Sequence, residues 1–274
     1  MAKELRCVVS ESTWTALEAE RVRTGDSLSH VVQRAISDGL GLTHHSIFQV
    51  STSTAVVEGV FGGYVTVAEL KQHGDFGLGT FDGLDGEMIM VDGECYQATN
   101  DGVVNSAEPE WGVPFGVVTR FEEDLASTVD AESSFVEFQH LVDTQRPSEN
   151  LFVGIRAEVF ALRMSLRAAC KAAPGEGLVE AVQHQSEFSA KAVHGTLVGF
   201  WTPTYASAFN VPGYHFHFLD DDREFGGHVL DMDIATASVS LHLESDMHVV
   251  LPETAEFLSA DLRTDPTTAL EITE

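Results

Sequence analysis

The stretch GYHFHFLDDDREFGGH, residues 213–228, sets the reading of the whole chain. Side chains of a strand alternate between its two faces. His215 and His217 therefore project from one face, about 6–7 Å apart along the backbone. Tyr214, Phe216 and Phe218 take the other face, where apolar bulk suits a core. The polar loop Asp220–Gly227 can reverse the chain, and His228 then opens a second strand, HVLDMD. If the two strands pair antiparallel, three imidazoles converge. Three neutral nitrogen ligands with an open fourth position make a catalytic zinc geometry. Such a ligand set leaves the full charge of the dication free to polarise a carbonyl or stabilise an enolate. HxH also arises in strands by chance, and the chain has 12 histidines. Spacing alone therefore leaves a metal site and structural histidines both open.

Working outward, the chain from residue 43 onward reads as mostly β. Asp92-Gly93 lies between MIMV and ECYQ, a hairpin signal. Asp82-Gly83 and Asp85-Gly86 punctuate the stretch before it. Further strands are expected at 114–122, 152–169 and 196–202. Helices are fewer. One is expected over 133–143, where Phe135, Phe138, Leu141 and Val142 recur at helical spacing. Another is expected at 52–59 or 66–72, and a third at 253–261, beginning at Glu253.

Residues 1–42 differ from the rest. They carry five basic and six acidic residues, against ten and 37 in the remainder. Leu5, Cys7 and Val9 alternate as on a strand face. Ser10 or Glu11 opens a helix that ends at Thr24-Gly25-Asp26. Asp26 or Ser27 caps a second helix, with Leu28, Val31, Val32, Ala35 and Ile36 at helical spacing and Gly39 and Gly41 closing it. This β-α-α pattern resembles the ribbon-helix-helix fold, which implies an arm for homodimerisation or DNA binding. The outward strand positions would be Glu4, Arg6 and Val8. One cation among three reads a major groove poorly, so a dimerisation arm is the expectation and DNA binding the alternative.

Composition narrows the class. The 274 residues carry 15 Lys+Arg against 43 Asp+Glu, a formal charge of −28. Charge of that sign repels nucleic acid and anionic membranes. Only four basic residues are lysines. An acidic, lysine-poor surface fits a halophilic setting in which salt screens self-repulsion. No run of about eighteen apolar residues exists to span a membrane. The start, MAKELRCVV, lacks the pattern of a signal peptide, so cytoplasm is the expected compartment. The three cysteines are scattered without CxxC, against a disulfide framework or a thiolate metal site.

Two families use histidines in this way. A cupin-type metal oxygenase places a glutamate ligand four or five residues after the second histidine of HxH. Here Asp221 and Asp222 hold those positions and Glu224 comes later. The better match is carried by HSIFQVSTSTAVVEGVFGG (45–63), HGDFGLGTFDGLDGEMIMVDG (73–93), GTLVGFWTP (195–203) and VPGYHFHFLDDDREFGGHVLD (211–231). With these segments the chain, from about His45 onward, resembles the α-acetolactate decarboxylase family.

The resemblance implies one zinc ion per chain, held by His215, His217 and His228, and no organic cofactor. It implies decarboxylation of 2-acetolactate to (R)-acetoin and CO2 through a metal-stabilised enediolate, in acetoin and butanediol biosynthesis. By the same resemblance Glu87 faces the substrate and Thr80 lines its pocket. Arg167 holds the substrate carboxylate, with Arg163 as an alternative register that strand alternation does not separate from it. Glu274 would return over the site at the end of the chain. The fold implied is α/β (α+β), with mixed sheets in two β-rich subdomains, few helices and the small β-α-α arm in front. The alternative function for the whole is a DNA-binding regulator whose body senses a small acid.

Overall fold

The computed structural model describes residues 6–25, 27–40, 45–173 and 175–273. The chain divides into two compact units, residues 1–44 and 45–274.

The first unit is a pair of helices. The first, Glu11–Thr24, is capped by Ser10, whose Oγ accepts the Thr13 N–H at 3.2 Å. It ends at Gly25, whose φ of +80° suits a residue without Cβ. The second helix, Leu28–Leu40, starts where Ser27 Oγ accepts the His30 N–H. Asp26, the other expected cap, and Gly41 lie outside the described residues, and Gly39 falls inside the helix rather than closing it. Glu20 ties the two helices, taking Arg34 at 2.9 Å and Arg23 at 2.6 Å. The expected strand over Leu5, Cys7 and Val9 is not formed where it is described. Residues 6–10 belong to no ladder and are exposed, because a strand exists only beside a hydrogen-bonding neighbour. Leu5 and Glu4 lie outside the described residues.

The second unit packs two sheets against each other, with few helices. The first sheet has seven strands, in the order Asp246–Val250, Ser46–Val50, Phe115–Thr119, Phe76–Thr80, Glu87–Val91, Glu94–Ala98, Val104–Ser106. The pair at its edge is parallel and the rest are antiparallel. The Asp92-Gly93 hairpin forms as expected. Val91 pairs with Glu94, and both turn residues have positive φ, +54° and +76°, as a two-residue turn with the right twist requires.

The second sheet is built on three long strands, Phe152–Ala168, Ser186–Thr202 and Gly226–Glu244, with Gly213–Asp220 beside Ser186–Thr202. Gly213–Asp220 and Gly226–Glu244 pair antiparallel, with His217 directly opposite His228. The connecting turn is shorter than the expected loop, because Gly226 and Gly227 already lie in the second strand. Early in its course Gly226–Glu244 also pairs with Phe152–Ala168. His228 thus has a neighbour on each side.

Alternation sorts the side chains into separate cores. Leu78, Ile89, Val117, Val198, Phe200 and Leu219 join one cluster drawn from both sheets, so it fills the space between them. Phe216, Phe218, Met164 and Leu166 point the other way, against Phe138 and Val142 of the helix Phe135–Gln145. Gly199 permits that packing, since a Cβ there would stand 2.1 Å from Phe216 Cδ1. Met88 and Met90 lie behind the first sheet with Leu70 of the helix Val67–His73. Both segments offered for the first body helix are helical, Ser53–Val57 and Val67–His73. The third expected helix is Ala255–Ser259, capped by Thr254 rather than begun at Glu253. No helix among the described residues is long and apolar enough to cross a membrane.

Candidate active site

The inner faces of the two sheets bring the predicted residues together. From the second sheet come His215, His217 and His228, buried at 8%, 0% and 3% exposure. One ligand nitrogen of each lies within 4.8 Å of the others. The three ring centroids are 4.9–5.5 Å apart. From the same sheet comes Arg167, the register partner of His228 across the ladder. From the first sheet come Thr80 and Glu87, opposite one another across a hairpin ladder. Thr80, Glu87, Arg167, His215 and His228 line one pocket, closed by apolar Val56, Leu178, Val182 and Leu270.

Burial decides the charge of the imidazoles. Loss of water pushes His215 down to about 3 and His217 to about 4, and holds His228 well below its ordinary value, with the Arg167 cation adding to the effect. All three rings are neutral near pH 7, as metal ligands must be. His217 shows which nitrogen is available. Its Nδ1–H donates to Met88 O at 2.8 Å, which leaves the lone pair on Nε2. That atom is buried without a hydrogen-bond partner among the described residues, and Glu87 Oε2 stands 3.5 Å from it. A nitrogen lone pair and a carboxylate oxygen face each other across a space that a cation would satisfy. The residues therefore fit a divalent metal.

The neighbours are held in turn. Glu87 Oε1 accepts the Ala169 N–H at 3.0 Å. Thr80 Oγ1 donates to Gly86 O at 2.7 Å, so its hydroxyl steadies the hairpin. Arg167 is 5% exposed and donates to Gln185 Oε1 at 2.9 Å and to Thr273 O. Arg163, the alternative, is instead paired with Asp231 and Asp233 at 2.6 and 2.8 Å, with its side chain 38% exposed. Arg167 lies buried in the pocket and Arg163 does not. Glu274 lies outside the described residues, but Thr273, its neighbour, lines the pocket and is buried.

Sequence reasoning missed Gln185 and the Ala169 N–H, which carry no local signature. It also missed a second group, His45, Asp124 and His242, whose donor atoms lie within 4.8 Å of one another.

Comparison with known proteins places the chain among named relatives. The alpha-acetolactate decarboxylase family model matches residues 47–264. The alpha-acetolactate decarboxylase of Methanosarcina mazei is 40% identical over 217 residues, 79% of this chain and 75% of that protein. That of Methylococcus capsulatus is 41% identical over 224 residues, 81% of this chain and 86% of its own. The crystal structure of alpha-acetolactate decarboxylase from Bacillus subtilis strain 168 superposes with a TM-score of 0.81 at 37% identity, covering 84% of this chain and 99% of the other.

Proposed function

The chain belongs to the alpha-acetolactate decarboxylase family and is a decarboxylase, and from that premise we propose that it converts 2-acetolactate to (R)-acetoin and CO2 with a zinc ion held by His215, His217 and His228. The observation that carries the reading is the buried, neutral histidine triad, two of whose members, His215 and His228, line one pocket with Arg167 and Glu87.

The substrate is a small anion with a carboxylate, a tertiary hydroxyl and a ketone. A zinc ion bound by three neutral imidazoles supplies a Lewis acid for the negative charge that develops as CO2 leaves. The adjacent ketone of the substrate accepts the electron pair released from the broken carbon–carbon bond. Arg167 neutralises the departing carboxylate and orients it, since guanidinium and carboxylate match in shape and charge. Its own grip on Gln185 and Thr273 O keeps it aimed into the pocket. Glu87, fixed by the Ala169 N–H on one oxygen, turns the other toward the triad and holds or moves the hydroxyl proton. Thr80 shapes the wall beside it. Glu274 follows Thr273 and is assigned a second proton-handling carboxylate; Glu274→Gln then lowers turnover without altering metal content. The apolar wall excludes bulk water, which strengthens each charge contact. Proton delivery to one face of the product enediolate sets the hand of acetoin.

Incubation of purified protein with racemic acetolactate, with and without a chelator, tests this directly. Acetoin of a single hand, lost with the metal and restored by zinc, is the expected result. Turnover by a His217→Ala protein free of metal would overturn it.

A further inference from the structure

A second set of metal-capable side chains lies far along the strand that carries His228. His45 precedes the strand Ser46–Val50, Asp124 precedes Leu125–Val129, and His242 is near the end of Gly226–Glu244. Fourteen residues separate His242 from His228, some 45 Å along the strand at the usual rise. The group is therefore separate from the pocket described above.

Its geometry asks for a cation. His242 is fully buried, and neither ring nitrogen makes a hydrogen bond of normal geometry among the described residues. Its Nδ1 stands 3.3 Å from Asp124 Oδ2. The Nδ1 of His45 stands 3.6 Å from that same oxygen. Bonds of about 2.0–2.1 Å to one tetrahedral ion put neighbouring donors about 3.3 Å apart. Behind His242, Nε2 faces Oε1 of the buried Glu244 at 3.5 Å. A carboxylate on the far nitrogen is how metal-binding imidazoles are oriented. Asp124 is fixed by the Leu243 N–H, which donates to Oδ2 at 2.8 Å. The rings of His45 and His242 stack at 4.9 Å.

We propose that His45, Asp124 and His242 form a second metal site, for a divalent cation of the zinc class, with Glu244 orienting His242. Two imidazoles and one carboxylate select such ions over calcium or magnesium. The role is structural. His45 O accepts the Ser245 and Asp246 N–H groups at 3.0 and 2.9 Å, where the long strand leaves the second sheet for the edge of the first. An ion there pins the two sheets at their seam. The Nδ1–H of His45 donates to Leu243 O at 2.5 Å, so loading at Nδ1 moves that proton to Nε2 of the same ring. The proton released on binding comes from His242, which, against the effect of burial, Asp124 and Glu244 hold above its ordinary value.

The test is metal counting on the full chain. Protein stripped by chelator is reloaded with Zn2+, desalted and assayed. The expected content is two ions per chain in the wild type and one in Asp124→Asn or His242→Gln. His217→Gln, which addresses only the triad, should also fall to one. The same count in the wild type and Asp124→Asn overturns the proposal, as does a His242 that stays a protonated imidazolium by 15N NMR at saturating zinc. Because variants of the buried residues can fail to fold, His45→Gln serves as a milder change. In the His217→Gln background zinc should raise the melting temperature, and in His45→Gln/His217→Gln it should not. A rise of equal size in both would also overturn the site. Failure of the triad reading shows differently, as a His217→Gln protein that keeps the wild-type count.

Discussion

Arg167 and His228 are register partners across the ladder between Phe152–Ala168 and Gly226–Glu244, and His228 faces His217 on its other side. Residues level with one another on adjacent strands project to the same face. The sheet therefore lines up Arg167, the cation proposed to hold the substrate carboxylate, with two of the three imidazoles. Arg167→Gln keeps the shape of the side chain and removes its charge. Its kcat/KM should fall at least about 100-fold, the scale for losing a charge-assisted contact in a closed site. Arg163→Gln should stay within about twofold, because its partners Asp231 and Asp233 lie outside the pocket. A larger loss in Arg163→Gln than in Arg167→Gln would return the assignment to Arg163.

Glu87 divides its two oxygens between a backbone N–H and the triad. Glu87→Gln can keep the bond from Ala169 through its amide oxygen but cannot take up a proton. We expect kcat to fall by about 10²–10⁴, the range for a lost general acid–base group, while metal content is unchanged. Metal analysis beside the kinetic assay separates this from damage to the histidines.

The legible parts of this fold were those written in short-range pattern. Alternation placed His215 and His217 on one face and Phe216 and Phe218 on the other, and of the four only the phenylalanines join the core against the helix Phe135–Gln145. The Asp-Gly pair at 92–93 announced its turn because few residues tolerate positive φ. What pattern could not supply was cover. Arg163 and Arg167 are nominally on the same side of one strand, and only their partners distinguish them, Gln185 and Thr273 for Arg167 and Asp231 and Asp233 for Arg163. Gln185 and the Ala169 N–H reach the site from segments without a motif. His45, Asp124 and His242 come from three distant stretches, so their meeting is a property of topology alone.

Gly93 offers a clean measure of the hairpin that carries Glu87. Its φ is +76°, and a Cβ there would meet nothing closer than Asp75 Cβ at 3.9 Å. The space is open, so Gly93→Ala isolates the conformational cost. A loss of about 1–2 kcal/mol is expected, read as a lower urea midpoint at unchanged slope.

The charge of −28 sets how the protein should respond to salt. At low ionic strength the chain repels both itself and an anionic substrate, and under the proposed mechanism only the local field of Arg167 and a bound metal opposes this. Raising KCl from 0.1 to 1 M shortens the screening length from about 10 to 3 Å. Melting temperature and kcat/KM at low substrate should both rise over that range. A fall in both would remove the halophilic reading of the composition.

Acid should unfold the metal-free protein through its own histidines. In the folded chain His215 titrates near 3 and His217 near 4, both lowered chiefly by burial, whereas an exposed histidine titrates at about 6.5. The unfolded chain therefore binds protons first as the pH falls. Stability is fully present above about pH 6.5 and is lost progressively as the pH drops toward 4, where His217 itself titrates. One pKa unit is worth about 1.4 kcal/mol, so His217 alone accounts for about 3 kcal/mol across that window. Urea midpoints of metal-free protein measured from pH 7 to pH 4 should fall steeply, and His217→Gln, with one fewer titrating ring, should fall less. Bound zinc adds competition between ion and proton for the same nitrogens, so the metal-loaded protein starts higher and converges on the metal-free curve as the pH drops. A metal-free protein whose midpoint is flat over this range would mean that the three rings are not held neutral, and the basis for a metal at this site would go with it.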